Sequence, residues 1–207
     1  MRRRPLLTRR LLAGALLLPA LPRRAAAAPP DLTFRVMREG SQVGTHTVRF
    51  REEGGVLGVR TEIRVAVRLM GITVYRFTQD TEEAWRGDRL VSLESRSDRN
   101  GRAGTCAARA EGQGLRLRGT AGEAVLAARA APLTWWRAAS LAPGVPLFDV
   151  RDGLPVAPRL ERSEERGGQR IRVVGGEGAE VVYDAAGTWV GFATTGEDGS
   201  AVRYERA

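Results

Sequence analysis

The chain has 207 residues, with 33 basic and 24 acidic side chains and a formal net charge of +9. One cysteine excludes an intramolecular disulfide, and one histidine leaves most metal sites and histidine-dependent catalytic mechanisms without their parts. The sequence contains no lysine, so every strong base is an arginine.

Residues 1–27 have the three parts of an export signal. A basic start is followed by an apolar stretch over residues 11–21 and by four alanines at 25–28. The apolar stretch is too short to span a bilayer, which needs about 20 residues. We expect cleavage between Ala27 and Ala28. The mature protein, residues 28–207, is then predicted to be periplasmic or secreted from a bacterium and not an integral membrane protein.

The export route is predicted from Thr8-Arg9-Arg10-Leu11-Leu12, which resembles the twin-arginine motif. Arg9 and Arg10 would be the pair that the twin-arginine translocase recognises. The alternative is a general-secretory signal that is rich in arginine because the chain has no lysine. Either route predicts an export translocase and a signal peptidase as partners.

Export would also change the charge. Seven arginines and no acidic residue lie in residues 1–27, which leaves 26 basic and 24 acidic residues in the mature chain. The remaining arginines alternate with acidic and apolar residues and do not cluster. Nucleic-acid binding is therefore not expected.

From residue 32 onward, short segments of alternating polarity are separated by glycine-containing turns. The clearest segment is residues 59–69. One face of this segment carries Val59, Thr61, Ile63, Val65, Val67 and Leu69. A period of two over eleven residues is typical of a half-buried strand. Turn signals every 8–12 residues predict an antiparallel meander of about 10–12 strands.

A sheet of that many strands must curl, close or split into two layers to hide its apolar face. We predict one all-β domain over residues 28–207, built as a strongly curved sheet or half-closed barrel, with a sandwich as the second choice. Residues 132–146 break the pattern. We predict one or two short helical turns in the domain, one of them at residues 134–139. Residues 121–131 are compatible with a strand or a short helix.

The most unusual feature is the dipeptide Trp135-Trp136, just before a Pro-Gly loop. Adjacent aromatic side chains at this place can cap one end of a barrel or line a ligand-facing mouth. Together with Tyr75 and Phe77 on a predicted strand, they are the candidate ligand-binding residues. Trp85 and Trp189 are interpreted as core residues.

Structural roles explain the other candidates. His46 is predicted to be hydrogen-bonded within the sheet, and Cys106 to be a small buried thiol. Asp80, Glu82 and Glu83 are predicted to lie on a solvated strand face. If they converged in a cleft, they would instead support acid–base chemistry, for example on a glycan. No catalytic residue, metal ligand or cofactor is predicted.

Three stretches of the chain carry a resemblance to a known family. They are Phe34-Arg35-Val36 with Gly40-Ser41-Gln42-Val43-Gly44-Thr45-His46, Glu83-Ala84-Trp85-Arg86-Gly87-Asp88-Arg89-Leu90 with Asn100-Gly101, and Val182-Tyr183-Asp184 with Asp198-Gly199-Ser200 and Tyr204. On these residues the chain resembles bacterial exported proteins catalogued only as a domain of unknown function. Val182 stands where such families commonly have tryptophan. The resemblance implies a periplasmic antiparallel β-fold over nearly the whole mature chain and implies no reaction.

Three functional hypotheses follow from the sequence. The leading one is an exported, non-enzymatic protein that binds an apolar ligand or envelope component inside its curved sheet. The second is an envelope interaction protein without a ligand cavity, which would expose an apolar patch or a bare edge strand. The third is a carboxylate-based enzyme. A cavity that solvent can reach is the observation that favours the first.

Overall fold

The computed structural model of the protein describes residues 28–165, 167–175, 178–196 and 198–207. The predicted export signal, including Arg9, Arg10 and Ala27, lies outside these residues. Within the described ranges, no helix has the length and apolar character needed to cross a membrane.

Sixteen strands and one short 3-10 helix, Ala138–Leu141, make up the described part of the chain. The strands are β1 (Leu32–Arg38), β2 (Ser41–Glu53), β3 (Val56–Leu69), β4 (Ile72–Arg86), β5 (Arg89–Arg99), β6 (Arg102–Glu111), β7 (Gly114–Gly119), β8 (Gly122–Ala127), β9 (Ala131–Pro132), β10 (Leu147–Phe148), β11 (Pro155–Val156), β12 (Arg159–Glu165), β13 (Gly168–Val174), β14 (Ala179–Tyr183), β15 (Trp189–Thr195) and β16 (Ala201–Arg206).

Thirteen of these strands form one antiparallel sheet in the order β12-β13-β14-β15-β16-β1-β2-β3-β4-β5-β6-β7-β8. Every neighbouring pair is consecutive in the chain except β16 and β1, which place Tyr204 opposite Val36. Within the described residues β8 and β12 do not pair, so the sheet curls into an open shell. The predicted all-β fold with a strongly curved, half-closed sheet is confirmed.

The shell follows directly from the alternation in the sequence. In β3, burial alternates from Val59 through Thr61 and Ile63, while Arg60 and Arg64 are exposed on the outer face. The outer arginines pair with acidic residues across the strands, and such exposed ion pairs contribute little to stability. The inner apolar face therefore supplies most of the driving force for folding.

Residues 128–158, which connect β8 to β12, enter the shell from one end; we call this segment the plug. Its short strands β9 and β10 pair in parallel, and β10 and β11 pair in antiparallel orientation. Leu141 and Phe148 of the plug are fully buried within the cluster of inner-face residues. The helical turn predicted at 134–139 is displaced in the structure, because the 3-10 helix occupies Ala138–Leu141. Residues 122–127 form a strand, which resolves the ambiguity left for 121–131.

Two glycines of the sheet form the seat of the plug. A Cβ atom on Gly119 would lie 2.1 Å from the backbone oxygen of Asp152, and one on Gly104 would lie 2.5 Å from that of Arg151. The Asp152 oxygen accepts a hydrogen bond from the Ala121 amide at 2.9 Å. The backbone of the plug thus packs directly on the sheet, and a side chain at Gly104 or Gly119 would prevent this contact.

Candidate functional site

The half of the shell that the plug does not fill encloses a cavity of about 890 Å³. Turn residues such as Asn100, Gly175 and Ser200 line it, so it opens at the end of the shell that carries the β5–β6, β13–β14 and β15–β16 connections. Apolar side chains from strands on both sides of the shell form its walls, among them Ile63 and Phe192.

The plug forms the floor of this cavity. Leu133, Thr134, Trp135 and Trp136 of the plug line the floor. The Trp136 ring packs edge-on against Trp85, with ring centroids 6.0 Å apart. The tryptophan pair therefore packs on the core and lines the floor of the cavity, and it does not lie at the mouth.

The other two candidate residues, Tyr75 and Phe77, also lie on the cavity wall. They are two positions apart on β4, so the alternation of the strand gives them the same face. The structure thus brings together all four aromatic residues that the sequence singled out. Their role in binding a ligand stays a prediction.

Three polar side chains at the cavity have buried atoms without a hydrogen-bond partner among the described residues. They are the Nδ1 of His46, the Oγ1 of Thr61 and the Oγ1 of Thr134. These residues are only 4%, 4% and 8% exposed. A buried polar group without a partner costs about 1–3 kcal/mol, so such groups call for an explanation.

His46 differs from the prediction. It is buried on the inner face, but its Nδ1 lacks the hydrogen bond expected within the sheet, and aromatic rings surround it instead. Its ring centroid lies 5.0 Å from that of Trp189 and 5.5 Å from that of Tyr204. Burial lowers the pKa of His46 to about 3, so the imidazole is neutral.

By contrast, neighbouring polar side chains on β4 and β5 have hydrogen-bond partners. The Gln79 Nε2 donates to the Thr81 Oγ1 at 3.1 Å, and the Thr81 and Ser95 hydroxyls are 2.9 Å apart. Three of the four buried side-chain atoms without a partner among the described residues are therefore at the cavity, and the fourth, the Ser140 Oγ, lies in the plug.

Glu83 corrects the sequence interpretation, because it is buried and not solvated. The indole N–H of Trp85 donates to its Oε2 at 2.7 Å, and that of Trp136 donates to its Oε1 at 3.2 Å. Burial raises the pKa of Glu83 to about 7, although both indole hydrogen bonds oppose this shift. Glu83 thus holds Trp136, a floor residue of the cavity, against Trp85.

The carboxylates do not form a catalytic cluster. Asp80 and Glu82 lie on the exposed outer face, as predicted, where they pair with Arg64 and Arg60, while Glu83 lies on the opposite face of the strand. In the described part of the chain, no group of three or more His, Cys, Asp or Glu side chains could hold a metal ion.

Cys106 is buried, as predicted. Burial, reinforced by Asp149 and Asp152, raises the pKa of its thiol to about 12. The thiolate that a nucleophilic mechanism requires is therefore scarce.

The fold and the cavity define the protein as a β-barrel-like shell with a solvent-reachable interior at one end. The model of the family described as "Domain of unknown function (DUF6134)" matches residues 34–207, and the chain belongs to this family. This confirms the resemblance to a family of unknown function. A search of curated proteins finds no match.

One solved structure is similar over most of the chain. It is the crystal structure of a β-barrel-like protein of domain of unknown function DUF1849 from Brucella abortus. The TM-score is 0.55 at 10% identity, and the match covers 86% of this chain and 94% of that one. At this identity the similarity supports the fold alone.

Proposed function

We propose that this protein is an exported, non-enzymatic binding protein that holds an apolar ligand inside its curved sheet. The observation that carries the proposal is the cavity of about 890 Å³, with apolar walls and unpartnered polar atoms. Its volume lies within the roughly 300–1,000 Å³ typical of small-molecule sites.

The polar atoms at the cavity restrict the chemistry of the ligand. Neutral His46 and the hydroxyls of Thr61 and Thr134 can each exchange a hydrogen bond with a hydroxyl, carbonyl or amide group. Four of the five charged side chains of the lining form ion pairs, Arg38 with Asp198 and Arg151 with Asp149. The fifth, Arg99, has its guanidinium carbon 5.8 Å from the centre of the Phe77 ring. The proposed ligand is therefore an apolar molecule with an uncharged hydrogen-bonding group.

Filling the cavity tests the proposal. The double variant Val65→Trp/Val173→Trp places two large side chains on the cavity lining, and we expect it to bind the neutral apolar dye Nile red about ten-fold more weakly than the parent protein. Fluorescence titration of the purified protein measures the change. Mass spectrometry of solvent extracts from the native protein identifies any ligand that co-purifies.

The matched control is Val125→Trp/Val174→Trp. Val125 is 65% exposed and Val174 is 38% exposed, and neither lines the cavity. This control should bind the dye like the parent. If both double variants bind equally well, or if the parent binds no dye and extracts contain no ligand, the proposed function is wrong.

The unpartnered hydroxyl of Thr61 leads to a separate prediction. Thr61→Val removes a buried hydroxyl without a partner and keeps the side-chain shape, so we expect the free energy of unfolding to rise by about 1 kcal/mol. Affinity for a long-chain alcohol should fall at the same time. Thr81→Val is the control, because the Thr81 hydroxyl is hydrogen-bonded, and we expect its free energy of unfolding to fall by about 1–2 kcal/mol. Urea unfolding measures the stability of both variants. Equal losses of stability would contradict the conclusion that the Thr61 hydroxyl has no partner.

A further inference from the structure

The β3–β4 hairpin carries four of the seven exposed large apolar side chains among the described residues, including the two most exposed. Met70 is 103% exposed, Ile72 69%, Leu69 54% and Val74 51%. Four such residues within six positions form a contiguous apolar tip, and exposed patches of this kind mark interaction sites. We call residues 69–74 the tip.

The turn of the tip is unusual for this molecule. Glu39, Met70 and Asn100 each precede a glycine and have positive φ angles of 46°, 49° and 54°. A polar residue occupies the first and third of these turns, and asparagine tolerates this conformation best. Among the described non-glycine residues with positive φ, only Met70 has a fully exposed apolar side chain. Neither the local conformation nor packing in the folded protein accounts for methionine here.

The hairpin around the tip is basic. Residues 66–79 contain Arg68 and Arg76 and no acidic residue. The neighbouring strand β5 places Asp98 opposite Thr78, where it lines the same surface cleft as Arg76. Both arginines are exposed, and among the described residues neither has a carboxylate within salt-bridge distance. The described acidic residues of the β1–β2 and β15–β16 turns are engaged, since Glu39 accepts a hydrogen bond from the Ala201 amide and Asp198 pairs with Arg38.

The base of the tip is held firmly. The Arg76 amide donates to the Asn100 Oδ1 at 2.7 Å, and the Asn100 amide donates to the Arg76 oxygen at 3.0 Å. The tip is thus a protruding apolar projection on an ordered base, flanked by arginines.

We propose that the tip inserts into the surface of a phospholipid bilayer that contains anionic lipids. The apolar side chains would enter the acyl boundary, while Arg68 and Arg76 would lie at the level of the anionic headgroups. A bilayer fits better than a protein partner because the apolar groups are on a narrow projection and the charged side chains of the hairpin itself, Arg68 and Arg76, are basic. A second copy of this chain would place the arginines of one tip against those of the other.

The tip is continuous with the cavity. Leu69 and Val74 belong to the tip and also line the cavity. A protein that inserts this hairpin would therefore place the mouth of its cavity at the membrane, where apolar molecules reside. Exchange of an apolar ligand between the membrane and the cavity rests on the proposed function. Binding of the tip to a bilayer does not.

Vesicle co-sedimentation of the purified protein tests the proposal. We expect binding to vesicles of phosphatidylcholine with phosphatidylglycerol, and Met70→Asn/Ile72→Thr should reduce the partition coefficient at least about ten-fold. Asparagine before glycine favours this turn, so the variant should stay folded. The control Val125→Asn removes an exposed apolar residue on β8 and should bind like the parent.

A second pair of variants tests the charge. Arg68→Gln/Arg76→Gln should weaken binding to the anionic vesicles. The control is Arg51→Gln, which lies on β2 at the end farther from the tip and should not weaken binding. The proposal is overturned if the parent does not sediment with vesicles, or if the Met70→Asn/Ile72→Thr variant sediments equally well. It is also overturned if these substitutions abolish a dimer seen by sedimentation velocity while no vesicle binding occurs. Nile red binding by the tip variants reports on the cavity separately.

Discussion

Replacing Gly119 by alanine should lower the free energy of unfolding by about 3 kcal/mol or more, a large effect for one methyl group. The new Cβ would lie 2.1 Å from the Asp152 oxygen and 2.6 Å from the Thr105 oxygen. Both are backbone atoms, so neither can move away by changing a side-chain rotamer. The plug has to separate from the sheet, and its hydrogen bond to Ala121 is lost with it.

Gly191→Ala is the matched control, because its Cβ would meet only the Val182 side chain, at 3.7 Å. It should be neutral or stabilise the protein by up to about 1 kcal/mol, since alanine restricts the unfolded chain more than glycine does. Urea unfolding followed by circular dichroism measures both variants. Equal midpoints would show that the plug does not depend on this seat. A displaced plug should also shift the fluorescence of Trp135 and Trp136.

The second large effect concerns pH, where two buried groups act in opposite directions. His46 has a pKa of about 3 in the folded protein and about 6.5 when unfolded, so the unfolded chain binds the proton first. Its contribution to stability is therefore lost as pH falls below about 6.5. Glu83 has a pKa of about 7 in the folded protein and about 4.5 when unfolded. The folded protein binds this proton first, so stability rises as pH falls from about 7 to 4.5.

Between about pH 4.5 and 6.5 each group contributes a slope of about 1.4 kcal/mol per pH unit, and the two slopes cancel. The groups are expected to act independently. His46 and Glu83 lie on opposite sides of β3, opposite Ile63 and Val59, and are offset by four residues, or about 13 Å, along the strands. The parent protein should therefore show little net dependence on pH from these groups. Each single substitution should expose the slope of the other.

Urea unfolding at pH 5.0 and 6.5 checks this expectation. His46→Asn should be about 2 kcal/mol more stable at pH 5.0 than at pH 6.5, because Glu83 alone remains. Glu83→Gln should show the reverse, less stable by about 2 kcal/mol at the lower pH. Parallel pH profiles for the two variants would contradict the proposed cancellation.

The sequence was sufficient to predict the strands and the curvature of the sheet, because both depend on local alternation and turns. The position of Glu83 could also have been predicted. It is two residues before Trp85, which was assigned to the core, so the two share a face. The acidic neighbours Asp80 and Glu82 obscure that signal, because with them Glu83 resembles part of one solvated group.

Other features depend on contacts that no local pattern encodes. The break at residues 132–146 was visible, but its entry into the shell depends on the close approach of its backbone to Gly104 and Gly119. The missing partner of His46 likewise follows from which groups surround it across the shell. Alternation places a histidine on the inner face and does not show what it will meet there.

The pairing of β1 with β16 also has a consequence for the order of folding. Arg38 and Ser200, joined by a hydrogen bond of 2.8 Å across these two strands, are 162 positions apart in the chain. All other neighbouring strands of the thirteen-stranded sheet are consecutive in the chain. Hairpins can form as soon as their two strands are available, but the edge of β1 stays open until β16 arrives. Phe34 on β1 remains uncovered during that interval. Completion of the shell should therefore be slow and late, and an unpaired β1 is the surface on which an extended segment of another chain could compete.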